Sequence, residues 1–147
     1  MPKNYFSPKA GRFGVMPVVV SLHAGTNPLT VNVTTSIHLP TPSGKFVLLG
    51  GSIYVSTLAA DSDGTILAQI TRRKADGDAD VVLTEQINME TMTLLERSEF
   101  VLTKPPGSSD NIFLSGDTIK LEVVNNSAAI NTQPVNLLIA FELGYLE

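Results

Sequence analysis

The chain alternates apolar and polar residues along much of its length, and this pattern predicts β-strands. The clearest run is PVNLLIAFELGYLE at the C-terminus. Its odd positions are Val135, Leu137, Ile139, Phe141, Leu143 and Tyr145. Its even positions are Asn136, Leu138, Ala140, Glu142 and Gly144. DTIKLEVVNN repeats the rule, with Ile119, Leu121 and Val123 predicted inward and Lys120 and Glu122 outward. In LTVNVTTSIHL, Leu29, Val31, Val33, Ile37 and Leu39 alternate with Thr30, Asn32, Thr34, Ser36 and His38. Turn residues separate such runs at GTNP (25–28), PTPSG (40–44), DSDG (61–64), KADGDA (74–79), KPPGSSDN (104–111), SGD (115–117) and NNSAAINTQP (125–134). Strands are therefore expected near 15–22, 29–39, 45–60, 64–73, 80–87, 97–103, 112–114, 117–125 and 134–145. Many strands with regular turns predict an all-β fold, a two-sheet β-sandwich of jelly-roll type.

Two stretches depart from the rule. LTEQINMETMTLLERSEF (83–100) holds Ile87, Met92, Leu94 and Leu95 at spacings a helix can use. It reads either as a short helix over 89–97 or as a strand pair. KFVLLGGSIYVSTLA (45–59) is apolar on both faces. Phe46, Leu48, Tyr54 and Leu58 fall on one, and Val47, Leu49, Ile53, Val55 and Ala59 on the other. A strand apolar on both faces must be covered on both. Two explanations stand: a bulge at Gly50-Gly51 that swaps the inward face, or a homo-oligomer interface at Phe46, Leu48, Tyr54 and Leu58.

The first fourteen residues, MPKNYFSPKAGRFG, have no periodicity. They hold three bases (Lys3, Lys9, Arg12), three aromatics (Tyr5, Phe6, Phe13) and no acid. Strand periodicity begins only at Val15. The chain divides into an extended arm, 1–14, and a single sandwich domain, 15–147. Extended, the arm reaches about 45 Å, and its composition suits a segment that orders on a partner.

Charge sharpens this picture. Of 147 residues only 16% are charged, below the roughly 25% usual for a soluble domain. Residues 1–60 hold four bases and no acid, and 61–147 hold six bases and fourteen acids, for a net charge of −4. That balance argues against bulk nucleic-acid binding. No apolar run approaches the length of a membrane span, and none reads as a signal peptide.

Candidate chemistry is sparse. The chain has no cysteine, which excludes a thiolate nucleophile or a cysteine-based zinc site. Asp76, Asp78 and Asp80 have the spacing that opens a calcium loop, but Val81 stands at its sixth position and Ile87 at its twelfth. They read better as an acidic turn offset by Arg72, Arg73 and Lys74, and Asp61 and Asp63 as turn residues. His23 and His38 lack the partners of a triad, and neither nucleophile elbow nor phosphate loop is present. The two N-glycosylation patterns, at Asn32 and Asn125, lack a leader to deliver them. No catalytic, cofactor or metal site is expected.

The arm, the two-faced strand KFVLLGGSIYVSTLA and the closing pair SGDTIKLEVVNN and PVNLLIAFELGYL together resemble the small all-β virion proteins of tailed bacteriophages, most of all the capsid decoration or cement proteins. The resemblance covers the chain as a style and transfers no motif. It implies a non-enzymatic homotrimer on the capsid exterior, made in the host cytoplasm, that binds the major capsid protein through Lys3, Tyr5, Phe6, Lys9, Arg12 and Phe13 and touches neither nucleic acid nor membrane. A receptor-binding or fibre-tip jelly roll of a phage tail is the alternative.

Overall fold

The computed structural model describes residues 15–22, 34–39, 44–57, 60–61, 65–92, 96–125, 130–132 and 137–146. Among the described residues twelve strands follow in chain order. They are β1 (Val15–Leu22), β2 (Thr34–Leu39), β3 (Phe46–Tyr54), β4 (Ala60–Asp61), β5 (Ile66–Arg73), β6 (Val81–Val82), β7 (Ile87–Asn88), β8 (Ser98–Glu99), β9 (Ile112–Phe113), β10 (Thr118–Asn125), β11 (Ile130–Thr132) and β12 (Leu137–Tyr145). The expected strands are present where residues are described. Those expected over 80–87 and 97–103 are each reduced to short pieces.

Two antiparallel sheets form a β-sandwich. One runs β1-β12-β3-β8, with β9 also on β3. The other runs β2-β10-β5-β6, with β7 also on β5. A small ribbon joins β11 to β4. Pairing nests from the ends inward: β1 with β12, β2 with β10, β3 with β9.

Period two places the core. Ile37 and Leu39 of β2, Ile119, Leu121 and Val123 of β10, and Ile139, Phe141 and Leu143 of β12 are all buried in one cluster, with Ile66, Ala68 and Ile70 of β5. The outward residues Thr34, Ser36 and His38 are exposed. Gly51 marks where the sheets touch, since a Cβ there would lie 2.9 Å from Ile70 Cδ1.

The two-faced strand β3 contains a bulge. Glu142 faces Gly50 and Leu143 faces Leu48, so Leu49 is an extra residue without a partner on β12. Before it Phe46 and Leu48 point into the core; after it Ile53 and Val55 do. One added residue shifts the phase by half a period. The expected grouping of Phe46, Leu48, Tyr54 and Leu58 on one outer face is therefore corrected. Phe46 is 1% and Leu48 0% exposed, both inside the sandwich, whereas Tyr54 is half-buried on the opposite face. Leu58 lies outside the described residues.

The ambiguous stretch forms no helix in its described part. Met89 N–H donates to Ile66 O at 2.8 Å, and Thr91 N–H to Asn88 O at 3.2 Å, which is a turn. Thr84 instead bridges to Leu102, linking the β6–β7 segment to the β8 segment and closing that side of the sandwich.

Candidate partner-binding surfaces

The outer face of the first sheet is set by the residues opposite the core positions. On β3 these are Val47, Leu49, Ser52 and Tyr54, and on β12 Leu138, Ala140, Glu142 and Gly144. Leu49, Tyr54, Leu138 and Ala140 are half-buried, so this face is largely apolar, with Ser52 buried within it. Glu142, exposed, is the charged residue it carries among the described positions of β3 and β12. Gly144 packs under the bulge: a Cβ there would meet Leu49 Cδ1 at 3.2 Å, a tight contact that the Leu49 side chain would have to relieve. β1 enters beside this face, with Val15 opposite Gly144 and Pro17 opposite Glu142.

The outer face of the second sheet is polar and held by ion pairs. Lys120, only 6% exposed, bridges Asp80 and Glu122, lying 2.8 Å from the latter. Gln69 Nε2 and Thr71 Oγ1 donate to the other oxygen of Glu122 at 3.1 and 3.0 Å. Burial opposes charge on both Lys120 and Glu122. Their hydrogen bonds outweigh it, raising the Lys120 pKa and lowering that of Glu122. His38, opposite Lys120 in register, is exposed.

A second polar cluster lies at the end of the core. Arg72 Nε donates to Asp117 Oδ2 at 2.8 Å, and its guanidinium sits 5.8 Å from the centre of the Phe113 ring. Phe113 in turn stacks on Phe46 at 4.6 Å. Asp117 also accepts from Leu114 N–H (2.8 Å) and Ala75 N–H (2.9 Å). Alternation makes this readable in sequence: Arg72 continues the inward set Ile66, Ala68, Ile70. Asn111, buried and hydrogen-bonded to the Leu48 backbone, gave no such signal, because it ends a single 3-10 turn, Ser109–Asn111, too short to leave a period.

The acidic turn holds no convergent ligand set. Asp76 Oδ1 accepts from the Asp78 backbone at 3.0 Å, Asp78 faces Lys74 at 3.7 Å, and Asp80 turns to Lys120. The offsetting bases are thus Lys74 and Lys120, while Arg72 serves Asp117. Among the described residues no group of three His, Asp or Glu could hold a metal ion. Asp61 belongs to β4 rather than to a turn. Asp63, His23 and the arm residues Lys3, Tyr5, Phe6, Lys9, Arg12 and Phe13 lie outside the described residues. Among the described residues no helix is long and apolar enough to cross a membrane.

The chain matches no protein-family model and no curated protein.

Proposed function

We propose that this chain is a non-enzymatic virion structural protein. It sits as a homo-oligomer on the outer surface of a phage capsid and cements contacts between major capsid proteins. The observation that carries this reading is the outer face of the first sheet. It is apolar at Leu49, Tyr54, Leu138 and Ala140, and β1 runs beside it from Val15. The arm 1–14 leads straight into that strand. The arm carries aromatics and bases, and the face carries an exposed carboxylate, Glu142. The nested strand pairing supports a jelly roll, an architecture used by capsid proteins among others. The buried charges Arg72, Asp117 and Lys120 are directed to internal partners, which suits a rigid tile better than a reactive site. Net acidity suits the capsid exterior, away from packaged DNA.

The test deletes residues 2–14 and scores melting and occupancy on capsids. The truncated protein melts cooperatively, because every strand among the described residues lies from Val15 onward. Its attachment falls by more than about a hundredfold, the equivalent of roughly 3 kcal/mol left after the ordering cost of the arm. Equal attachment of the truncated and full chains would remove the arm from the mechanism.

A further inference from the structure

We propose that the free edge of β2 pairs antiparallel with β2 of a second copy of this chain, so that the oligomer is built from two-fold dimers rather than the trimer the resemblance implies.

The sandwich is closed on one side by the segments β6 to β9. On the other side lie β1 and β2, each paired on one side only among the described residues. A free edge offers a row of N–H and C=O groups to any extended chain, and sheet proteins ordinarily blunt it with a charge, a proline or a bulge. β1 is blunted by Pro17, which lacks an N–H and is tolerated on an edge where that position faces away from the sheet. β2 has none of these devices. Its sequence TTSIHL contains no proline and no formal charge, and its register with β10 runs from Leu39 to Thr34 without a shift.

Charge selects the occupant. Not one Asp, Glu, Lys or Arg occurs between Arg12 and Lys45, the stretch that supplies both edge strands. The exposed acids Asp76, Asp78, Glu85, Glu96 and Glu99 lie on or near the closed side, and the two carboxylates nearest β2, Glu122 opposite Ser36 and Asp80, are paired with Lys120. Two copies with a net charge of −4 repel when those sides meet. The β2 edge is where they approach without placing like charges together. A two-fold contact sets the same strand against itself, so it must be self-complementary. An uncharged strand with exposed Thr34, Ser36 and His38 meets that condition.

This inference rests on the homo-oligomer proposed above and is independent of capsid attachment. The absence of native cysteine gives a direct test. Thr34→Cys, Ser36→Cys and His38→Cys are oxidised one at a time, with Ser115→Cys, exposed in the turn before β10, as control. Paired strands hold facing Cα atoms about 4.5–5.5 Å apart, within disulfide reach. At least one β2 variant should cross-link on the order of a hundredfold faster than the control, as expected when an effective concentration near millimolar replaces a micromolar one. Light scattering of the unmodified chain should give twice its 15.7 kDa mass, and Ser36→Lys should reduce it to one chain without loss of cooperative melting. A monomeric native chain overturns both this pairing and the homo-oligomer. An oligomer in which every β2 cysteine reacts as slowly as Ser115→Cys overturns the pairing alone.

Discussion

The side chain of Asn111 and the backbone of Leu48 exchange two hydrogen bonds inside the core. Leu48 N–H donates to Asn111 Oδ1 at 2.8 Å, and Asn111 Nδ2 donates to Leu48 O at 2.9 Å. The pair continues the β3–β9 ladder beyond Val47 and Ile112, with a carboxamide in place of a backbone unit. It sits one residue before the bulge. The same Nδ2 donates to Lys104 O at 2.8 Å, which ties the 104–111 loop down.

Asn111→Ala leaves the Leu48 N–H and two carbonyls without partners in a buried site. A loss of about 3 kcal/mol follows, since each orphaned group costs roughly 1–3 kcal/mol and relaxation recovers part. Urea unfolding measures it directly. Asn111→Asp should be at least as damaging at pH 7, because a carboxylate would then face the Leu48 and Lys104 carbonyls.

Asp117 ties three segments together through Arg72, Ala75 and Leu114. Burial raises its pKa, but the Leu114 and Ala75 N–H groups, and then Arg72, lower it further, leaving it below the ordinary carboxylate value. A depressed carboxylate contributes stability that is present above its unfolded pKa, about 3.9, and is lost as pH falls through the folded value. Urea midpoints of the native protein should therefore drop steeply below about pH 4. Asp117→Ala should flatten that slope and cost about 3–5 kcal/mol at pH 7, because Arg72 is then buried without its partner. Adding Arg72→Met should recover part of the loss, and a double-mutant cycle reads the coupling.

Most of this architecture was legible from alternation alone. The inward residues of β2, β10 and β12 are those the period marked, apart from Tyr145 at the end of β12, which is exposed, because a strand with one buried face leaves that trace in its sequence. Arg72 was legible in the same way but was read as a turn base, since its charge drew it toward Asp76 and Asp78. Two things left no periodic trace. Asn111 acts from the end of a single 3-10 turn, whose position depends on tertiary contacts. Lys120 was rightly placed outward, yet it is buried, because Asp80 reaches it from a loop whose path the strand pattern does not encode. The two-faced strand β3 was open to two explanations, and the register shift at Leu49 shows that a bulge accounts for its change of inward face.

Lys120 makes the outer face of the second sheet sensitive to pH at both ends. Burial lowers its pKa, and the bonds to Asp80 and Glu122 raise it beyond the ordinary lysine value. A raised lysine contributes stability that is fully present below its unfolded pKa, about 10.4, and is lost as pH rises through the folded one. Glu122, lowered, loses its share in acid instead. Lys120→Met should remove the alkaline loss and cost about 2 kcal/mol at pH 7, as two carboxylates are left facing each other. Melting temperatures between pH 8 and 11 distinguish the variant from the native chain.

The bulge gives the sharpest test of why this sequence takes this fold. Leu49 is the residue that lets Phe46 and Leu48 share the core with Ile53 and Val55. Deleting it restores an unbroken ladder, and one half of β3 then turns its large side chains outward. Losing two such side chains from the core costs about 4–10 kcal/mol, at roughly 2–5 kcal/mol each. That approaches the whole stability of a domain, about 5–15 kcal/mol. The deletion variant should lack a cooperative melt and bind a hydrophobic dye. Leu49→Ala keeps the residue count and should cost only about 1–2 kcal/mol, since its side chain is half-buried on the outer face. A deletion variant that melts like Leu49→Ala would mean that phase is not what Leu49 supplies.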